Sequence, residues 1–174
     1  MKRLTLAPLF VCAAAPASAQ SMNVRLITEQ VVGEICPPLL NDGDMYAAIG
    51  EAERLGYSVT AHLPTALRLG AADRQAEPIV VEMEGSHQGT VRLREQYGLR
   101  VCSVGIHEGG VERIAETAEP HLRALGMEPV IDERQGPLVV SVWRGTNMQA
   151  VISRSTEFRP GSEIAITAAE PQVD

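Results

Sequence analysis

The chain has 174 residues, with 15 Lys and Arg against 22 Asp and Glu, so its formal net charge is −7. That acidic balance excludes a protein that binds nucleic acid through the phosphate backbone, which needs a basic surface. It disfavours docking on an anionic membrane surface for the same reason. The length and the 45% hydrophobic content suit one domain with a real core.

The start reads as a secretion signal. Lys2 and Arg3 precede the apolar run Leu4–Val11, which is far below the roughly 20 residues needed to span a bilayer. Ala17-Ser18-Ala19 is the small-residue pattern after which signal peptidase cuts. Three parts follow: a cleaved signal over 1–19, one domain over 20–168, and a patternless C-terminal tail over 169–174. Removing 19 residues leaves 155 and, with Lys2 and Arg3 gone, takes the charge from −7 to −9. A lipoprotein reading at Cys12 is disfavoured because Val11 stands where that processing wants a small residue. No later apolar run is long enough to cross a membrane. The mature chain is therefore expected to be soluble, in the periplasm or secreted.

Lys2 is the only lysine. A mature chain without lysine offers neither a lysine Schiff base nor a P-loop lysine. Cys36 and Cys102 remain after cleavage, and an even count in an exported chain predicts one disulfide. A redox role is the weaker reading, because there is no Cys-x-x-Cys and Cys102 lies on the apolar face of a strand.

In chain order, Val24, Ile27, Val31 and Ile35 predict a helix over Asn23–Ile35, capped by Asn23 and stopped by Pro37-Pro38. Met45, Ala48, Ile49, Ala52 and Leu55 form the buried face of a second helix, capped by Asp42 or Asp44 and ended by Gly56. Pro64–Gly70 reads as a short helix and Gly70–Glu77 as a loop. Ile79–Arg94 is a hairpin around Gly85-Ser-His-Gln-Gly89. Its register pairs Met83 with Val91 and Val81 with Leu93 on one face, and Glu82 with Arg92 on the other. Tyr97-Gly98 then turns the chain into a strand carrying Cys102, Val104 and Ile106.

That strand leads through Gly109-Gly110 into a helix whose stripe is Val111, Ile114, Ala115, Ala118, Leu122 and Leu125, closed by Gly126. Pro120 inside it predicts a kink, or else two short helices. Glu128–Asp132, Leu138–Arg144, Met148–Arg154 and Glu163–Ala168 read as strands, with turns at Gln135-Gly136-Pro137, Gly145-Thr146-Asn147 and Arg159–Ser162. The fold class is α+β: a mainly antiparallel sheet with two or three helices on one face and one disulfide. Glu53-Arg-Leu-Gly56-Tyr resembles Leu122-Arg-Ala-Leu-Gly126-Met in kind. A repeated helix-plus-meander unit would build such a sheet, although Leu-Gly is also simply how amphipathic helices end.

Few residues suggest chemistry. His107, Glu108 and Glu112 sit where a strand hands over to a helix and form the best local metal-ligand candidate, with His87 or His62 as a further ligand. Adjacent strand residues diverge, however, and a carboxylate in the first helical turn also suits the helix dipole. Glu108 and Glu112 would repel a phosphate. No Gly-x-Ser-x-Gly is present. Glu77, Glu82 and Glu84 read as a solvated strand face and His121 as surface. Trp143 alternates with Val139 and Ser141, opposite Leu138, Val140 and Val142, so it lies either in the core or on a side that lines a groove or a dimer contact.

Cys36 beside a helix end, Gly56-Tyr57 closing the next helix, Cys102 on a mid-chain strand and Val-Trp143 on a late strand together resemble a group of small exported bacterial proteins. The resemblance implies export and a Cys36–Cys102 pair, and it transfers no activity or catalytic residue. The expected role is a non-catalytic binding or envelope accessory protein with a protein or small-molecule partner and no cofactor. The rivals are a metal-assisted hydrolase near His107, Glu108 and Glu112, and a homodimer through the Trp143 sheet face.

Overall fold

A computed structural model describes residues 17–61, 79–85, 89–106, 110–132, 139–154 and 161–169. The strands are β1 Tyr57–Ala61, β2 Ile79–Gly85, β3 Gly89–Gln96, β4 Leu99–Ile106, β5 Glu128–Asp132, β6 Val139–Arg144, β7 Met148–Arg154 and β8 Ser162–Ala169. The helices are α1 Ala17–Gln30, α2 Cys36–Asp42, α3 Met45–Arg54 and α4 Val111–Ala124, with a π-helical segment, Val31–Ile35, joining α1 to α2. All eight strands form one antiparallel sheet in the order β1-β2-β3-β4-β8-β7-β6-β5. α2 crosses β4 and β8 at the centre, α3 packs on β1, α4 lies across β6, β7 and β8, and α1 packs against α4. This is the α+β class expected from the sequence, and Cys36 is bonded to Cys102.

The register contains an internal two-fold. One cross-strand row runs Val59, Met83, Val91, Val104, Ile164, Ile152, Ser141. Its neighbour runs the opposite way through Pro129, Trp143, Ala150, Ile166, Cys102, Leu93 and Val81. Position for position the rows superpose, and the axis passes through the facing pair Ser103 and Ala165. The edge-strand bulges match too: the register slips between Val59 and Ala61 on one edge strand and between Pro129 and Ile131 on the other, whereas the slip between Val139 and Ser141 of β6 has no counterpart in the β2–β3 ladder. Gly56 (φ +88°) and Gly126 (φ +75°) close the two related helices in the left-handed region. The helix-plus-meander repeat suggested by the two Leu-Gly endings therefore has a geometric counterpart.

Several local expectations are revised. α1 begins before Asn23, so Asn23 lies inside it and caps nothing. Pro37 and Pro38 do not stop the chain. They fall in the first turn of α2, where a missing N–H costs little. Just upstream the Cys36 N–H donates to the Val31 carbonyl, five residues back. This wider π turn carries the helix past the carbonyl that a proline ring would strike. Asp44, not Asp42, caps α3: its Oδ1 accepts from the Ala47 N–H at 2.9 Å. Tyr57–Ala61 is an edge strand that the sequence left unassigned.

α4 continues through Pro120 as one helix, with Val111, Ile114, Ala115, Ala118 and Leu122 buried. The hairpin register is as expected, including Glu82 opposite Arg92 with an ion pair at 3.4 Å. Ala169 is part of β8 and pairs with Leu99. The readings at Pro64–Gly70, Gly70–Glu77 and Gln135-Gly136-Pro137, the first half of the Arg159–Ser162 turn and the tail after Ala169 lie outside the described residues.

Candidate functional site

The strongest site suggested by the sequence was the handover from β4 to α4. Of His107, Glu108 and Glu112, only Glu112 lies among the described residues, as His87 and His62 also do not. Its Oε1 accepts from Arg154 Nη2 at 3.0 Å, joining the first turn of α4 to the end of β7. The carboxylate thus serves an interelement ion pair at a helix start, where negative charge is favoured. Ile106, at the end of β4, pairs with Gly89 on one side and Ser162 on the other. No group of three or more His, Cys, Asp or Glu among the described residues is placed to hold a metal ion.

Two residues of β4 control the centre of the helical face: Cys102, expected to pair with Cys36, and Arg100, which the sequence reading did not single out. Arg100 and Cys102 share the inward face of β4 with Val104 and Ile106. Cys102 is bonded to Cys36 at the start of α2, with 5.6 Å between the Cα atoms. Arg100 is 8% exposed, and its Nη1 donates to the Leu39 carbonyl in the last turn of α2 at 3.3 Å. A cation there complements the negative end of the helix. Gly43 closes α2 at φ +69°, and a Cβ on it would stand 3.0 Å from Arg100 Nη1. The alternation Arg100, Cys102, Val104, Ile106 was the available signal that this arginine faces inward.

A surface groove of about 390 Å³ lies beside the disulfide, between the π-helical segment with α2 and the α3 helix. Glu34, Pro37, Pro38, Asn41, Asp42, Glu51 and Arg54 line it. Arg54 reaches across it, donating from Nε to Glu51 at 2.7 Å and from Nη2 to Glu34. Those glutamates hold its guanidinium above the usual range, the Glu51 hydrogen bond most strongly. The walls are set by the π turn, which presents Glu34, and by the proline pair. Only the i,i+3 spacing of Glu51 and Arg54 was visible in the sequence.

Trp143 belongs to the core. It is 5% exposed, its Nε1 donates to Ser141 Oγ at 3.2 Å, and the Arg123 guanidinium of α4 lies 5.4 Å from its ring centroid. The proposed dimer contact at Trp143 is therefore corrected: its face of the sheet is the one the helices cover. His121 is not simply surface either. It is half-buried, and its ring packs so closely on Gly33 of the π-helical segment that a Cβ there would be 2.9 Å away.

Tyr57 is the other notable buried group. It is 5% exposed, and its ring lies over Gly85, where a Cβ would approach to 2.7 Å. The hydroxyl has no hydrogen-bond partner among the described residues. Burial pushes its pKa up to about 12, because the phenolate would be formed away from water.

Comparison with protein-family models, with curated proteins and with solved structures found no match to this chain. No described helix is long and apolar enough to cross a membrane.

Proposed function

We propose that this is an exported, non-catalytic binding protein, acting in the periplasm or after secretion as an envelope accessory. The observation that carries the reading is the Cys36–Cys102 bond. Both cysteines are 1% exposed or less and sit among core side chains, so the bond serves the fold rather than a thiol exchange reaction. Structural disulfides form and persist in oxidising compartments. The Ala17-Ser18-Ala19 pattern and the resemblance to small exported bacterial proteins support the same compartment.

Binding is supported by the groove at Glu34, Pro37, Pro38, Asn41, Asp42, Glu51 and Arg54. Glu34, Glu51 and Arg54 hold one another in place there, and Pro37 and Pro38 line the same groove, an arrangement suited to recognising a partner of mixed polarity. The hydrolase reading needs His107 and Glu108 together with Glu112, whose carboxylate is engaged by Arg154.

Native mass spectrometry on protein recovered from its own host tests the proposal. An added mass that leaves on denaturation and is an organic molecule or a second polypeptide supports binding. A stoichiometric divalent metal, lost in His107→Ala, would contradict it in favour of the hydrolase.

A further inference from the structure

The folded chain closes its disulfide off from any outside reagent. Cys36 is 1% exposed and Cys102 0%. In the ladder Cys102 stands between Leu93 of β3 and Ile166 of β8, both buried, and α2 packs on β4. Thiol–disulfide exchange needs a thiolate that can reach a disulfide sulfur directly. A chain folded with the two cysteines still as thiols would offer neither of them to an external disulfide. Chain order says when they are within reach. The stretch from Cys36 to Cys102 includes α2, α3, β1, β2 and β3. One flank of Cys102 and its bonding mate therefore both precede it. The other flank is β8, the last described strand. Until Ser162–Ala169 docks, β4 has a neighbour on one side only, and that edge of Cys102 is open.

We propose that an external thiol–disulfide oxidant joins Cys36 to Cys102 in that interval, before β8 docks on β4. A thiolate of the pair attacks the oxidant's disulfide, forming a mixed disulfide and releasing one oxidant sulfur. The second cysteine then displaces the other oxidant sulfur and completes the bond. The chain is oxidised, the oxidant is reduced, and the two thiol protons end on the released sulfurs. Cys12, the third cysteine, lies in the expected leader, so a chain starting at Gln20 has one pairing open to it. It needs an oxidase and no isomerase. Only this last point rests on cleavage after Ala19. The order of events rests on the burial of the pair and on the place of β8.

Two measurements on the purified chain test it. In the first, dithiothreitol is added to the native protein in buffer and to the unfolded protein in urea. Exchange follows one path in both directions, so reduction in buffer is expected to be at least about tenfold slower. In the second, the reduced chain is diluted from urea into buffer, and oxidised glutathione is added after increasing delays. Trp143 belongs to the half of the sheet that reaches β4 only through β8, so its emission reports when that half has docked. Loss of the Cys36 and Cys102 thiols is expected to slow at least about tenfold once this emission is native. A reduced chain that reaches native emission only after the bond forms supports the same order. Reduction of the native protein as fast as in urea would overturn the proposal. So would a reduced chain with native Trp143 emission that is oxidised as fast as the unfolded one. Neither measurement depends on where the chain resides, so export and this order of events stand or fall separately.

Discussion

Arg100 and Cys102 stand two residues apart on one face of β4, and between them they hold both ends of α2. Cys102 binds its first residue covalently and Arg100 takes the Leu39 carbonyl near its last. A helix of only seven residues, Cys36–Asp42, could not form alone in water. It persists here because it continues the helix through the π turn and because β4 fixes its start and completes its end. The same strand lies on the axis relating the two halves of the sheet, so α2 is anchored where the halves meet.

Removing the disulfide should therefore cost much of the domain's stability. The bond closes a separation of 66 residues, worth about 4 kcal/mol in the chain-entropy account. A Cys36→Ala, Cys102→Ala double variant is expected to lose roughly that in urea unfolding. In the native protein neither cysteine should be alkylated under denaturing, non-reducing conditions.

Arg100→Ala is expected to lower stability by about 1–3 kcal/mol, the usual cost of losing a charge-assisted bond at a buried site. The same unfolding measurement checks it. A neutral result would show that α2 needs no cation at its carbonyl end.

Tyr57 makes stability fall at high pH. Its folded-state pKa is about 12 and its unfolded value about 10. Below pH 10 both states hold the proton and the native state loses nothing. Between about pH 10 and 12 the unfolded chain ionises first, so stability drops by about 1.4 kcal/mol per pH unit. Tyr57→Phe should remove that slope. It should also be neutral or stabilising at pH 7, since it deletes a buried hydroxyl that has no partner among the described residues. Urea unfolding at pH 8, 10 and 11 separates these outcomes.

Trp143 is the only tryptophan, and it is 5% exposed. Its emission should be blue-shifted in the native protein and move red on unfolding. Trp143→Ala should cost about 3–5 kcal/mol by leaving a cavity under α4. An emission maximum already at the solvent-exposed wavelength would return Trp143 to the surface.

Periodicity made most of the fold legible. The hairpin register followed from Met83, Val91, Val81 and Leu93 on one face with Glu82 and Arg92 on the other. The stripe from Val111 to Leu122 outweighed Pro120. Misreadings arose where the deciding contact was distant. Pro37-Pro38 looked terminal because proline usually ends a helix, and only the π turn and the anchor at Cys102 carry the chain through. Tyr57–Ala61 is a short edge strand whose pairing depends on β2, beyond any local window. His121 looked polar-faced because nothing nearby in sequence announces Gly33 against its ring. The groove brings Glu34 from one segment to Arg54 on another, a closeness that spacing cannot reveal.

Export as a disulfide-bonded protein is read from the intact mass of the chain recovered from its host's periplasm or medium, with alkylation before reduction. The expected chain begins at Gln20, with Cys36 and Cys102 both unlabelled. A chain retained in the cytoplasm with Met1–Ala19 still attached and both cysteines alkylated would rule out export in that form.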